Sequence, residues 1–437
     1  MPATLGYLEE RTVRKIPLMS VALVAVALAT AASAGARPSA EKPVEVVFWH
    51  AQTDSAQKAL HKLVVQFNKS HPGIVVRDQL GSNGDSMVQK LQAVIGSDNY
   101  PDVAYVYGSD VPNVAQSSKV VDITKDIKAT GFAWNSLYEA GRRTATVGSK
   151  IVGFPAVIDN LAVVYNTKLL KAAGVAPPKA NWTWNDYRAL AKKLTNPAKD
   201  IYGTGYPISG SEDTVWRLWP MIWQQGGEAL DKANKKVLFA GPQGVKAVQL
   251  LSDMALKDKS LYADQTPDTQ KMYGLFNAGK MAMVITGPWQ LSSITDHHVT
   301  YGVQVLPSFN GSHETVAGPD VYMVFNHSDE RRKATVTFMS WLHEPAQDVQ
   351  WDIGSGNLPL SAKTAALPEY KAYSAKYPGV DLFVKNLLNA HHIRPALPEY
   401  TQISVILGKA VATAILGRGS PKDTLAQAAK AADKTLG

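Results

Sequence analysis

Short apolar runs alternate with amphipathic helical segments early in the chain, and this alternation limits the fold more than any other feature. Runs at 44–49, 74–76 and 102–107 have the length and composition of buried strands. Between them, 54–70 and 87–95 carry apolar residues at helical spacing. An order of strand, helix, strand, helix, strand is typical of a parallel sheet with helices on both faces. The sequence therefore predicts an α/β fold.

Polar side chains follow each of these predicted strands. The carboxyl ends of parallel strands share one edge of a sheet, and open α/β sheets bind ligands at that edge. The alternative is that these residues belong to ordinary loops and helix caps, which also favour Asp and Ser. As a set they predict a ligand site, with these candidates from the first three loops: His50, Gln52, Asn83, Tyr107 and Asp110.

The stretch 153–166 has two apolar runs around a polar pair, Asp159-Asn160. Pro155 lacks a backbone donor, so it suits a strand start or an edge strand. We interpret this stretch as the place where the chain leaves one lobe and enters a second, with a ligand cleft beside it. The alternative is an interior strand of one large domain.

The second half of the chain continues with strand and helix patterns. Trp216, Trp219 and Trp223 have the spacing of one helical face. A predicted strand at 281–286 runs directly into Gly287-Pro288-Trp289. The final segments predict two helices.

Composition excludes several classes of protein. The 437 residues contain no cysteine, so disulfides, thiolate metal sites, a cysteine nucleophile and a cysteine-linked lipid anchor are absent. The formal net charge is +8, but the lysines are scattered without a long basic run. This pattern is typical of a solvated surface, and no nucleic-acid partner is predicted.

The N-terminus has the pattern of a signal peptide. Arg11, Arg14 and Lys15 precede an apolar run at 18–32, and small residues suited to signal peptidase follow. We therefore exclude residues 1–36 from the fold and expect an exported, periplasmic protein, with free secretion as the alternative. An uncleaved anchor is the other interpretation of this segment, although the run is short for a membrane span.

No catalytic motif stands out. The sequence lacks a Gly-x-Ser-x-Gly elbow, an HExxH motif and a phosphate loop. Its histidine pairs, His297-His298 and His391-His392, have a spacing that suits surface loops better than a metal site. No catalytic residue, metal ligand or cofactor is predicted.

Carboxylates and tryptophans suggest carbohydrate. Carboxylates near aromatic residues can act as the acid and base of a glycosidase, or can accept hydrogen bonds from sugar hydroxyls without chemistry. Tryptophan rings can stack on a pyranose, although tryptophan is also common in protein cores. The residues concerned are Asp159, Glu212, Asp213 and Asp320, with Trp49, Trp223 and Trp289.

Several stretches, in order, resemble the bacterial extracellular solute-binding proteins of ABC importers. The resemblance is to the carbohydrate group that includes maltose-binding and glycerol-3-phosphate-binding proteins. It covers nearly all of 43–437, and its most specific pieces are 276–283 and Gly287-Pro288-Trp289. Other matching pieces are Phe48-Trp49-His50, the run from Phe67 to Val76, Pro101-Asp102-Val103, 153–166, 182–184, 223–227 and Asn357-Leu358-Pro359.

The resemblance implies two α/β lobes joined by a hinge of several crossings, near 156–160, 316 and 360. The N-terminal lobe would contain 43–156 with about 317–360, and the C-terminal lobe 160–316 with about 361–437. It also implies a monomer that delivers its ligand to the transmembrane permease of an ABC importer. The full set of predicted ligand-binding residues is His50, Gln52, Asn83, Tyr107, Asp110, Asp159, Asn160, Glu212, Asp213, Trp223, Gly287, Trp289, Asp320 and Arg394.

The ligand class follows from the charges of that set. By analogy with the family, Trp289 stacks on the ligand. A buried phosphate favours paired cations, and Arg394 is the one arginine placed near the cleft. The sequence therefore predicts a receptor for a neutral sugar or glycoside. The alternatives are a receptor for glycerol-3-phosphate or a glycerophosphodiester and, in a different class, a secreted carbohydrate-active enzyme.

Overall fold

The computed structural model describes residues 42–82 and 84–437. The predicted signal peptide, 1–36, and the candidate Asn83 lie outside the described residues. All the elements named below belong to one compact unit, Pro43–Gly437.

Twelve strands form within the described residues. They are β1 (Val44–His50), β2 (Ile74–Leu80), β3 (Val103–Val106), β4 (Thr146–Val147), β5 (Lys150–Ile151), β6 (Gly153–Val157), β7 (Ala162–Asn166), β8 (Tyr202–Pro207), β9 (Leu261–Asp264), β10 (Met281–Thr286), β11 (Tyr301–Gln304) and β12 (Asp320–Val324).

The helices of the first half are α1 (Asp54–Ser70), α2 (Gly84–Val94), α3 (Val111–Val114), α4 (Thr124–Thr130), α5 (Glu139–Thr144), α6 (Thr167–Ala172), α7 (Trp184–Leu194), α8 (Glu212–Trp216) and α9 (Trp219–Trp223). Those of the second half are α10 (Pro242–Leu256), α11 (Gln270–Asn277), α12 (Leu291–Asp296), α13 (Asp329–Leu342), α14 (Pro345–Ser355), α15 (Ala362–Ala365), α16 (Pro368–Lys376), α17 (Val380–Asn386), α18 (Tyr400–Ile415) and α19 (Pro421–Asp433).

The first sheet has the strand order β2-β1-β3-β12-β6. Strand β1 pairs in parallel with β2 and β3, as the alternation of segments predicted, whereas β12 is antiparallel to β3 and β6. All four residues of the central strand β3 are buried, because helices cover both faces of the sheet. Helix α1 buries Leu60, Leu63, Val64 and Phe67, the face that helical spacing predicted.

The second sheet has the order β11-β7-β10-β8-β9. Strand β10 is parallel to β8 and antiparallel to β7, and all six of its residues are buried. The C-terminal helix α18 packs against α8, α10 and α19. This packing brings the chain just before α18 next to α8.

The stretch 153–166 joins the two sheets. Strand β6 is the last strand of the first sheet and β7 belongs to the second, so the predicted crossing is confirmed. Pro155 lies in β6, an edge strand, where a missing backbone donor is tolerated. Two later segments cross beside it, since Ile158 pairs with Leu358 and Asn160 pairs with Ala317. These three segments run side by side between the two sheets, and the carboxyl end of β6 leads directly into the first of them.

No helix among the described residues is long and apolar enough to cross a bilayer.

Candidate ligand-binding site

A carboxylate at the start of β12 anchors one side of the site. The Tyr105 hydroxyl donates to Oδ2 of Asp320, and the Gly108 N–H donates to Oδ1 at 2.9 Å. A side chain at Gly108 would collide with the carbonyl of Pro319, so only glycine lets the loop after β3 approach so closely. Burial raises the pKa of Asp320, and these hydrogen bonds oppose the shift.

A second carboxylate, Glu212 at the start of α8, meets the C-terminal segment. It accepts hydrogen bonds from Arg394 at 3.1 Å, from the Tyr400 hydroxyl at 3.2 Å and from the Ser404 hydroxyl at 2.5 Å. Burial raises the pKa of Glu212, while Arg394 and the hydroxyl donors lower it. Glu212 and Arg394 are thus committed to each other before any ligand binds.

Asp110 lies at the N-terminus of α3 and is 8% exposed. The Thr401 hydroxyl donates to its Oδ1 at 2.5 Å. Burial raises the pKa of Asp110 to about 7; the bond from Thr401 lowers it and the charge of Glu212 raises it further. A half-ionised carboxyl at neutral pH can donate as well as accept a hydrogen bond.

Asp159 lies in the crossing after β6, and its Oδ1 has no hydrogen-bond partner although the residue is only 7% exposed. Burial, followed by the charge of Asp320, raises its pKa well above the ordinary range, and Arg394 opposes this. A Cβ added to Gly318 would lie 2.6 Å from this oxygen and 2.8 Å from Cζ2 of Trp216. The unpartnered carboxyl and the indole of Trp216 therefore flank the same glycine.

Two tryptophans form an aromatic platform at this point. The rings of Trp216 and Trp289 are stacked at 5.8 Å with an interplanar angle of 26°. The Arg394 guanidinium lies 5.9 Å from the Trp216 ring centre. Nε1 of Trp216 is buried without a partner, and Trp289 is partly exposed. The six-membered ring of Trp289 lies against Gly287, where any side chain would displace it.

The segment 394–401 bonds to the loop and helix at 109–113, across from Glu212. Arg394 donates to the Ser109 hydroxyl at 3.3 Å, and the Asn113 amide donates to the Pro398 carbonyl at 3.0 Å. Together with the bond from Thr401 to Asp110, these contacts join the C-terminal segment to the first sheet. We refer to them as the interlobe bonds.

The structure brings together seven of the residues predicted from the sequence. They are Asp110, Asp159, Glu212, Asp320 and Arg394, with Trp289 and its supporting Gly287. They come from the first sheet, the crossing, the second sheet and the C-terminal segment. Their role in ligand binding stays a prediction.

Two of the predicted residues, Trp223 and Asn160, have environments unlike those of the seven above. Trp223 is 3% exposed and its ring is stacked between Trp219 and His392, which leaves no face for a ligand. Asn160 is fully buried; its amide donates to the Phe383 carbonyl at 2.8 Å and its oxygen accepts from Asn386 at 2.7 Å. Trp223 stabilises the core, and Asn160 fixes the crossing.

Four other predicted ligand-binding residues make contacts outside the group of seven. His50 ends β1, pairs with Leu80 and is 1% exposed, and burial lowers its pKa. The backbone N–H of Gln52, which is partly buried, donates to Nδ1 of His50 at 3.2 Å. Asp213 forms an ion pair with the buried Arg217, although its Oδ2 is unpartnered. Tyr107 is partly buried and its ring centre is 6.1 Å from that of Tyr105.

Sequence reasoning missed several contributors, above all Trp216 and Gly318. The spacing of Trp216, Trp219 and Trp223 predicted one helical face, but the chain forms two short helices with Pro220 near the start of the second. Trp216 thereby separates from the other two. Its position one turn after Glu212 was the available signal. The other missed residues are Tyr105, Ser109, Tyr400, Thr401 and Ser404.

In residues 42–82 and 84–437, no group of three or more His, Cys, Asp or Glu side chains is arranged to hold a metal ion.

A fold of two sheets joined by three crossings, with polar and aromatic side chains converging beside them, defines a two-lobed solute-binding protein. The sequence model of the bacterial extracellular solute-binding proteins matches residues 50–349, which is more than half of the chain. The chain therefore belongs to this family, whose members are extracellular or periplasmic.

Individual relatives are distant but match over the whole length. The sn-glycerol-3-phosphate-binding periplasmic protein UgpB of Pectobacterium atrosepticum is 23% identical over 97% of this chain and 97% of its own. The cyclic alpha-maltosyl-1,6-maltose binding protein from Arthrobacter globiformis has a TM-score of 0.72 and 26% identity, covering 90% of this chain and 99% of that one. An ABC substrate-binding protein from Listeria monocytogenes in complex with cycloalternan has a TM-score of 0.81 and 22% identity, covering 90% and 99%. The predicted fold is confirmed.

Proposed function

We propose that this chain is the substrate-binding receptor of an ABC sugar importer, and that it captures a neutral mono- or oligosaccharide or glycoside. The observation that carries the proposal is the pair of unpartnered groups beside Gly318, Oδ1 of Asp159 and Nε1 of Trp216. One is a carboxyl oxygen and the other is a donor. Adjacent sugar hydroxyls both donate and accept, so they match the pair.

The tryptophans support the same class of ligand. A pyranose has an apolar face that can lie on the partly exposed ring of Trp289. Trp216 stacks beside it and extends the platform. A ring on this platform would present its edge hydroxyls to Asp159.

A phosphorylated ligand is the second candidate, because the relative from Pectobacterium atrosepticum is named for binding sn-glycerol-3-phosphate. The charges of the site oppose it. Arg394 already pairs with Glu212, and Asp159 and Asp320 would lie close to an anion. A phosphate normally needs cations that are free to bind it.

The proposal includes export and delivery to a membrane permease. Residues 1–36 would be removed, leaving a periplasmic monomer or, as the alternative, a secreted one. Its N-terminal lobe would be 43–156 with about 317–360, and its C-terminal lobe 160–316 with about 361–437. Intact-mass measurement of exported protein tests the processing step, and retention of residues 11–30 would contradict it.

A thermal-shift panel followed by calorimetry tests the ligand class. The panel contains mono-, di- and trisaccharides, glycerol-3-phosphate and glycerophosphodiesters. A ligand at ~100 times its dissociation constant should stabilise the protein by about 2.7 kcal/mol. We expect a neutral sugar to give the largest shift. Tight binding of glycerol-3-phosphate with no response to any neutral sugar would show that the phosphate alternative is right.

Two further measurements complete the test. Small-angle scattering with the bound sugar should give a smaller radius of gyration, since hinged lobes close on their ligand, and an unchanged radius with binding confirmed separately would contradict hinge closure. A product-release assay on the same sugar separates binding from hydrolysis. Sustained release of product would instead favour the carbohydrate-active enzyme.

A further inference from the structure

Two aspartates of α14 and two tyrosines of α16 place unpartnered oxygens in the protein interior, outside the candidate ligand-binding site. Asp348 and Asp352 are 1% and 0% exposed, and Tyr370 and Tyr373 are 4% and 6% exposed. The unpartnered atoms are Oδ1 of Asp348, both carboxylate oxygens of Asp352 and the hydroxyls of Tyr370 and Tyr373. Buried polar groups in proteins nearly always have partners, so this concentration calls for an explanation.

These oxygens belong to one cluster. Asp348 and Asp352 are four residues apart on α14, which puts them on one helical face, and α14 packs against α16. The rings of Tyr370 and Tyr373 are 5.8 Å apart. Burial raises the pKa of Tyr370, and the charge of Asp352 adds to that effect. Burial also raises the pKa of Tyr373, and the charge of Asp352 is one of the smaller contributions to that shift.

The two carboxylates of the cluster oppose each other's ionisation. Burial raises the pKa of Asp352 well above its ordinary range, and the neighbouring charge that adds to this shift is Asp348, another carboxylate. Burial raises the pKa of Asp348 to about 7. Burying carboxylates is costly unless a cation pairs with them or they take up protons. The cluster must therefore hold a cation or protons.

One oxygen of Asp348 is held in place by residues outside the cluster. The Thr364 hydroxyl donates to Oδ2 of Asp348 at 2.6 Å, and the Ser361 hydroxyl is 2.9 Å from that of Thr364. This chain of hydroxyls, together with a hydrogen bond from the Leu360 backbone, fixes the carboxylate of Asp348. Ligands of bound metal ions are commonly oriented by such outer contacts.

We propose that Asp348, Asp352, Tyr370 and Tyr373 bind a Ca²⁺ ion. Two carboxylates match its charge. Ca²⁺ takes six to eight oxygen ligands in flexible geometry, and the cluster offers the five unpartnered oxygens with water to complete the set. Mg²⁺ fits less well, because it demands strict octahedral geometry and gives up its water reluctantly. None of the four residues is His or Cys, which zinc sites normally use.

The position of the cluster gives the ion a role in the hinge. Asp348 and Asp352 precede the crossing at 356–360, and Tyr370 and Tyr373 follow it. A bound ion ties the helix that enters the crossing to the helix that leaves it. Tyr138, which is 38% exposed, has a pKa that is raised by burial and then by the charge of Asp352.

Melting temperatures test the proposal on the mature full chain, with Ca²⁺ or with EDTA, at pH 5 and pH 8. The raised carboxyl pKa values mean that protons are held at pH 5 and lost towards pH 8, so stability in EDTA should fall over this range. We expect saturating Ca²⁺ to raise the melting temperature by roughly 3–5 °C at pH 8 and by less at pH 5. Asp352→Asn should lose the response, whereas Asp296→Asn, at an exposed position on α12, should keep it.

Terbium provides a second measurement that does not depend on a variant. Tb³⁺ replaces Ca²⁺ at oxygen sites and luminesces when a nearby tyrosine or tryptophan is excited; Ca²⁺ should quench that signal by displacing it. Tyr370→Phe/Tyr373→Phe, which keeps both rings, should weaken Ca²⁺ binding several-fold and serves if Asp352→Asn does not fold. Two results would overturn the proposal. The first is a melting temperature that does not respond to Ca²⁺ and rises only in acid, which would indicate a protonated pair of carboxyls. The second is an equal response to Ca²⁺ in Asp352→Asn. Neither depends on which sugar the cleft binds.

Discussion

Trp216, Trp219 and Trp223 are less than ten residues apart in the sequence, but they belong to two stacked pairs with different environments. Trp219 and Trp223 are stacked at 5.9 Å, fully enclosed, and the indole of Trp219 donates to the Tyr400 hydroxyl at 2.7 Å. Trp216 stacks with Trp289, and its own indole nitrogen has no partner. In the first pair the indole N–H of Trp219 has a hydrogen-bond acceptor within the protein. In the second pair the indole N–H of Trp216 has none. Unmet hydrogen bonding, more than burial, distinguishes Trp216 from the core residue Trp219.

The largest expected effect is on stability. Trp223→Ala should lower the free energy of unfolding by roughly 3–5 kcal/mol, because it removes a large side chain that is stacked on both faces. Urea denaturation measures the loss, and Trp223→Phe, which retains a ring, should lose less. The folded variant should bind sugar with nearly unchanged affinity. A large fall in affinity under conditions where the variant is folded would show that Trp223 contributes to ligand binding.

Trp289→Ala should have the opposite profile. The expected loss is roughly 1–3 kcal/mol of binding free energy, by analogy with other aromatic stacking platforms, with a smaller change in stability. Calorimetry with the sugar selected by the thermal-shift panel measures it. Normal affinity in this variant would show that Trp289 does not stack on the ligand.

Gly287→Ala tests how the platform is supported. The glycine has φ −106° and ψ −177°, which alanine also adopts, so the effect should come from displacement of the Trp289 ring alone. Affinity should fall by no more than it does in Trp289→Ala. In the Trp289→Ala background the same change should cost nothing further, and a double-mutant cycle shows this directly. Additive losses would mean that Gly287 acts independently of the ring.

The smallest effect concerns a single donor. Trp216→Phe keeps an aromatic ring and removes the unpartnered N–H. Sugar affinity should fall by about 1 kcal/mol if a ligand hydroxyl accepts that hydrogen bond. The substitution removes no hydrogen bond from the unliganded protein, because Nε1 of Trp216 has no partner there. Its stability should therefore not fall for that reason. Unchanged affinity would show that the ligand does not reach this atom.

The sequence predicted those parts of the fold that depend on local patterns. Alternating apolar runs predicted the parallel strands β1 to β3, and Asp159-Asn160 between two apolar runs predicted the crossing. Trp289 was found because glycine and proline mark the end of β10. Each of these signals lies within a few residues along the chain.

The rest depended on contacts between distant residues. Glu212 and Arg394 are 182 residues apart, so their pairing has no local signature. Trp216 and Trp223 look alike in sequence, and only the break between α8 and α9 separates them. Asp348 and Asp352 resemble any solvated helix face until α16 covers them.

The interlobe bonds have a consequence for how long a ligand stays bound. Neither the bond from Asn113 to Pro398 nor that from Thr401 to Asp110 involves a ligand, and the hinge opening that the proposed function requires would have to break both. Their strength therefore contributes to the dissociation rate of every ligand alike, whatever its identity. Residence time and selectivity can then be changed separately. Substitutions at Thr401 or Asn113 should alter the residence time of the ligand, and substitutions on the tryptophan platform should alter the selectivity for it.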